Sequence, residues 1–169
     1  MPKPQTGTYP AYFDKYIQLV ETDSVTEAII KYAQPLIEFF ESIPEDKALY
    51  RYAEGKWTVK EMLQHIIDTE RIFEYRALCL SRKDQTPLPG FDEKTYADAS
   101  HADERNQHDL VEELKAVRTS TDLLLKSFTG EQLQQSGITN GQPNTVNAIG
   151  FIIFGHLLHH KKILEERYF

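Results

Sequence analysis

The chain has one cysteine, Cys79, so an intramolecular disulfide is excluded and a reducing compartment is expected. Positive charge is in short supply: 19 Lys and Arg stand against 26 Asp and Glu, a net charge of −7. No basic stripe is available to replace phosphate counterions, which argues against nucleic acid as a partner. Long apolar runs are missing as well. The longest strictly apolar run, Phe151–Phe154, is too short to span a bilayer. Met1-Pro2-Lys3-Pro4 lacks the apolar stretch of a secretory signal. No membrane partner is expected, and a cytoplasmic location is. Nor does any motif assemble a Ser/His/Asp triad. Cys79, set among Ala77, Leu78 and Leu80, reads as a small core hydrophobe and not as a nucleophile.

What remains is an ordinary globular composition, 40% hydrophobic and 27% charged over 169 residues, enough for a single domain spanning 1–169. Residues 1–9 are Pro/Thr-rich and read as an irregular arm. The rest reads as helices separated by breaks, with no strand alternation. A short helix is expected over Ala11–Val20. Ser24-x-x-Glu27 is a capping box opening a helix to about Ser42, with a kink or break at Pro35. Thr58-x-x-Glu61 is a second box, opening a helix to about Arg82. Two further helices are expected over about Asp103–Phe128 and Thr145–Tyr168. Residues 81–100 and 137–144, rich in Pro, Gly, Asp or Asn, read as connections.

These segments predict an all-α fold, a four-helix bundle. The twenty-residue connection after Leu80 is long enough to run back along a helix of ~37 Å, so the second and third helices can point the same way. The expected order is up-down-down-up, with a long crossover between helices 2 and 3.

Chemistry concentrates in the histidines. His156 and His160 stand one turn apart inside Ile149–Leu164, the most apolar segment of the chain. On a helical wheel they lie near the middle of an apolar arc of about 140°, roughly 40° from each other. An imidazole buried there needs a partner, either a metal ion or core hydrogen bonds. His159 falls at the edge of the arc, near Lys162 and Glu166, and is expected at the surface or just outside the ligand set. On the second helix, His65 flanks a core face made by Met62, Ile66, Ile72, Phe73 and Leu80, on a polar row with Glu61, Asp68, Thr69 and Arg76. If the second and fourth helices are antiparallel, His65 lies ~10 Å from one helix start and His160 ~12 Å from the other helix end, at a common level. Three nitrogens at one point make an open metal site suited to Zn²⁺, Ni²⁺, Co²⁺ or Fe²⁺ more than to Mg²⁺ or Ca²⁺. Asp68 or Glu61 either orients an imidazole or is a solvated charge. Arg76 either binds a substrate carboxylate or is a boundary arginine. Trp57 and Tyr52 are expected to seal the bundle end, and Phe91 and Tyr96 to pin the crossover. Tyr12, Phe13, Tyr16 and Ile17 read as intramolecular packing, with a dimer seam as the alternative.

The stretch Gly55-Lys56-Trp57-Thr58 through His65 to Arg71 resembles the second-helix signature of the DinB/YfiT-like metal-binding bundles. Leu88-Pro89-Gly90-Phe91-Asp92-Glu93 with Tyr96 resembles their crossover, and Gly155-His156-Leu157-Leu158-His159-His160 their C-terminal ligand pair. The likeness covers about residues 10–168. It implies an up-down-down-up bundle that binds a divalent metal through His65, His156 and His160, and a homodimer as a frequent assembly. The family includes S-transferases using bacillithiol or mycothiol and a maleylpyruvate isomerase. The leading expectation is therefore a metal-dependent transferase that activates a low-molecular-weight thiol toward an electrophile. A metal-dependent hydrolase using bound water and a metal-binding bundle without turnover are the alternatives.

Overall fold

A computed structural model describes residues 1–169. After a 3₁₀ turn at Ala11–Phe13 come α1 (Asp14–Ile17), α2 (Val25–Glu41), α3 (Val59–Ser81), α4 (Glu93–Ser100), α5 (Gln107–Ser127) and α6 (Gly130–Gln134). Strands β1 (Ser136–Thr139) and β2 (Gln142–Thr145) lead into α7 (Val146–Arg167). The four long helices are α2, α3, α5 and α7.

Each long helix begins where a short polar side chain satisfies a free backbone N–H. Ser24 Oγ accepts from the Glu27 amide, and Thr145 Oγ1 from the Ala148 amide, each at 3.2 Å. At α3 the box is complete: Thr58 Oγ1 accepts from the Glu61 amide at 3.0 Å, and the Glu61 carboxylate accepts from the Thr58 amide at 2.7 Å. Such caps contribute on the order of 1 kcal/mol each.

Cross-helix neighbours fix the directions. Gly150 packs on Val25, the Tyr32 ring on that of Phe154, and Lys161 over Phe39, so α2 and α7 run parallel. Arg118 pairs with Glu70 at 3.0 Å, and Ser120 donates to Glu74 at 2.6 Å, with Arg105 held by Gln64 below them. These make α3 and α5 parallel. Tyr168, at the end of α7, donates to the carbonyl of Trp57, before α3 starts, so α3 and α7 are antiparallel. The order is up-down-down-up. Phe40, Leu63, Ile66, Ile67, Leu114, Ile149, Phe151 and Phe154 are fully buried between the helices, each worth roughly 1.5–3 kcal/mol of apolar transfer.

Five details differ from the sequence reading. Residues 137–144 are not irregular: β1 and β2 pair antiparallel from Ser136↔Thr145 to Thr139↔Gln142. Asn140 (φ 51°) and Gly141 (φ 70°) make the turn, and Asn-Gly is the dipeptide that tolerates two positive φ values. The segment after α3 is not all loop either, since Asp92 caps the eight-residue α4 by accepting from the Thr95 amide at 2.7 Å. α5 starts at Gln107 and not at Asp103, because Asn106 is the cap and Asp103 is taken by the Thr58 hydroxyl at 2.6 Å. Pro35 does not break α2. It lies on the exposed face, where water takes the carbonyl that a proline leaves without a donor. The Ala11–Val20 helix is only the short turn and α1. No helix is long and apolar enough to cross a membrane.

Candidate metal centre

His65, in the second turn of α3, and His156 and His160, one turn apart on α7, come together inside the bundle. His65 Nε2 and His160 Nε2 each lie 3.0 Å from His156 Nε2, and the three ligand atoms all fall within 4.8 Å of one another. Their exposures are 7%, 6% and 6%. The antiparallel run of α3 and α7 brings them level.

An imidazole Nε2 has one in-plane position, filled by either a proton or a lone pair. His156 Nε2 faces two other Nε2 atoms at once, and a single proton serves only one of them. A cation accepts all three lone pairs. Tetrahedral ligands at ~2.0–2.1 Å from zinc sit ~3.3–3.4 Å apart. The observed spacing, 3.0 Å for two pairs and at most 4.8 Å for the third, brackets that value. Burial keeps the rings neutral, so the lone pairs are available: it pushes His65 down to about 4 and holds His156 and His160 well below the ordinary histidine range, with neighbouring histidines adding to the effect. The donor set therefore fits a divalent transition metal.

The surroundings hold the rings in place. Thr69 Oγ1 lies 3.5 Å from His65 Nδ1, and the Tyr16 ring meets His156 edge-on at 5.6 Å. His160 Nδ1 has no partner. The rings of His65 and His156 form one end of a cavity of about 440 Å³, a size suited to a small molecule. Tyr12, Phe13, Phe73 and Phe91 give it aromatic walls, and Arg76, Glu93, Asn140 and Gln142 supply polar groups.

The remaining candidates are spread around this centre. The Glu61 carboxylate is occupied in the α3 cap, and Asp68 accepts from Gln64 Nε2 at 2.9 Å; neither is hydrogen-bonded to an imidazole. His159 is half-buried, its ring 5.1 Å from that of Tyr16. Arg76 is buried in the cavity wall and donates to the Pro89 carbonyl at 2.7 Å. Ile72 is half-buried rather than core, and Cys79 is buried. Trp57 and Tyr52 do close the bundle end, around Tyr168, and the Phe91 ring packs on Tyr96 at 5.2 Å.

The family model of the DinB superfamily matches residues 32–164. The chain belongs to the DinB superfamily. Among solved structures it is similar to YfiT from Bacillus subtilis, with a TM-score of 0.68 at 20% identity, covering 98% of this chain and 92% of that one. YfiT is described as "a probable metal-dependent hydrolase with an unusual four-helix bundle topology". No curated protein matches the chain. For this DinB-superfamily member, several cavity residues were not foreseen from sequence. Asn140 and Gln142 arrive on the hairpin, and Glu93 on α4. Tyr12 and Tyr16 arrive on the N-terminal segment, for which Gly155 was the available signal: a Cβ there would stand 2.2 Å from the Tyr16 carbonyl oxygen.

Proposed function

We propose that this protein is a metal-dependent transferase that places a low-molecular-weight thiol against an electrophile in the cavity. His65, His156 and His160 are the ligands, and zinc or nickel suits the nitrogen set best, with cobalt or iron next. When bound, such an ion supplies the positive charge that makes a thiol or a water in its open position an anionic nucleophile at neutral pH.

The chain's own residues do the rest. The neutral rings hold three lone pairs ready, and Tyr12, Phe13, Phe73 and Phe91 give the cavity apolar surface for the electrophile. The Tyr16 phenol stays protonated, because burial and its neighbour Tyr12 push its pKa up. Tyr16 thus adds no charge to the cavity wall at any physiological pH. The thiol loses its proton to solvent, the sulfur pair forms the new bond to the electrophilic carbon, and the leaving group departs with the electrons of the bond that breaks.

The observation that carries this reading is the convergence of the His65 and His160 Nε2 atoms on that of His156, in the wall of a cavity with aromatic sides. Hydrolysis is the second reading, favoured by the description of YfiT. A homodimer, as the family resemblance implies, belongs to the same proposal. The test is metal analysis of protein purified without chelator, followed by thiol consumption with a generic alkyl halide. Zinc- or nickel-dependent thiol loss supports transfer, ester turnover without thiol supports hydrolysis, and a metal-loaded protein inert in both assays overturns the enzyme reading.

A further inference from the structure

The chain buries two arginines, and they are treated differently. Arg118, 2% exposed, is compensated by Glu70 at 3.0 Å and Asp122 at 2.9 Å. Arg76, 4% exposed, has no carboxylate within ion-pair reach. Its single protein acceptor is the neutral Pro89 carbonyl, and Glu93, the one acidic residue in the cavity wall, forms no ion pair with it. A buried guanidinium without a counter-charge is costly, so the arrangement calls for an anion from outside.

Position says which anion. His65 and Arg76 are eleven residues apart on α3, three turns and so the same face, with ~16 Å of helix between their Cα atoms. Both line the cavity, with Thr69 and Phe73 between them. The guanidinium leans back over the Phe73 ring, 5.3 Å from its centroid, toward the histidines. The cavity wall therefore carries the histidines and, further along α3, a cation, with Thr69 and the Phe73 ring between them.

We propose that Arg76 is the specificity determinant of the cavity, binding a carboxylate at the far end of a small molecule whose other end reaches the histidines. This rests on the cavity being the substrate site, as proposed above. Planar, bidentate pairing with a carboxylate is what a guanidinium offers and a lysine does not. The carboxylate belongs to either the thiol or the electrophile, and the two sources are separable.

The experiment is calorimetric titration of zinc-loaded protein with two ligand pairs: 6-mercaptohexanoate against 6-mercaptohexanol, and 4-phenylbutyrate against its amide. The expected result is at least tenfold tighter binding of the acid. In Arg76→Gln that preference vanishes while the alcohol and amide bind as before, and in Arg76→Lys it is partly kept. A preference confined to the thiol pair puts the carboxylate on the nucleophile; a preference in both pairs puts it on the electrophile as well. Equal binding of acid and neutral partner to the unmodified protein overturns the proposal without any variant, and so does a preference that survives Arg76→Gln in folded protein. Zinc stoichiometry is read on the same samples. A chain that takes no zinc but still prefers 4-phenylbutyrate through Arg76 refutes the metal reading and leaves the anion site standing. In metal-free His156→Ala the phenylbutyrate preference is expected to persist.

Discussion

The indole of Trp57 lies against the imidazole of His65, with ring centroids 4.7 Å apart and planes 38° apart. Trp57 is the sole tryptophan, so its emission reports on one end of one proposed metal ligand. Fixing His65 on a cation changes the ring's charge and motion beside the indole. Zinc is expected to shift Trp57 emission with saturation at one equivalent, and open-shell nickel or cobalt to quench it. His65→Ala should abolish both responses. Emission that stays constant while one equivalent of metal binds would refute His65 as a ligand.

His156 is the hub of the trio, its Nε2 3.0 Å from both of the others, whereas His159 points toward Tyr16. His156→Ala is therefore expected to abolish stoichiometric metal loading, and His160→Ala to weaken it by at least ~100-fold, since an open three-ligand site loses its chelation. His159→Ala should retain metal. Metal content after dialysis against a weak chelator, with circular dichroism to confirm folding, decides the matter. Equal loss in His156→Ala and His159→Ala would show that the ligand assignment is wrong.

The same burial sets a pH dependence. Unfolded, each ring returns to a pKa of ~6.5, while folded His65 sits at about 4 and the other two lie well below the ordinary value. Between those limits the unfolded chain binds protons that the folded chain does not. The contribution to stability is complete above ~6.5 and falls as pH drops through this window. Metal-free protein should lose melting temperature steadily from pH 7 to 5, and zinc should move the acid unfolding midpoint downward. A flat profile for the metal-free protein over that range would mean the rings are not held neutral.

The bundle was legible because its signals are local: Ser24, Thr58 and Thr145 cap the helices they open, and the apolar arc of α7 carries its histidines inward. Helix direction followed from the length of one connection, and that direction brought His65 to the C-terminal pair. What escaped depends on long-range packing. Residues 136–145 carry a local hairpin signal in Asn140-Gly141, but Leu88 also holds the hairpin from outside, exchanging 2.9 Å bonds with Ile138 and Asn140, a partnership no window of sequence contains. Glu61 looked free to orient an imidazole, although the capping box that marked the helix start already claimed its carboxylate. The pairing of Glu70 with Arg118 requires knowing that α3 and α5 are parallel.

That buried group carries its own prediction. Arg118 answers Glu70 and Asp122 and lies over the Phe154 ring at 4.7 Å. Burial already pushes both carboxyls up, against the pull of the guanidinium. Arg118→Met removes that pull and should cost about 3–5 kcal/mol. Both carboxyl pKa values then rise further, so the folded state binds more protons than the unfolded one. The variant should regain stability relative to the unmodified chain as pH falls, read as a narrowing gap in urea midpoints. A gap that widens in acid would contradict the assignment.

Gly155 and Gly150 both lie on α7, and they separate packing from site geometry. A Cβ at Gly155 meets backbone, at 2.2 Å from the Tyr16 carbonyl oxygen, and backbone cannot rotate away. A Cβ at Gly150 meets the Val25 side chain at 2.8 Å, where a small shift gives relief. Gly155→Ala must push α1 off α7, at an overpacking cost of about 1–3 kcal/mol and a fall of roughly 2–4 °C per kcal/mol in a domain of this size. Because the Tyr16 ring rests edge-on against His156, the displacement also uncovers the candidate metal centre. Metal affinity should therefore fall in Gly155→Ala and hold in Gly150→Ala, even where melting temperatures are similar. Paired calorimetry and metal titration test this, and full metal affinity in a destabilised Gly155→Ala would show that the N-terminal segment packs beside the site without shielding it.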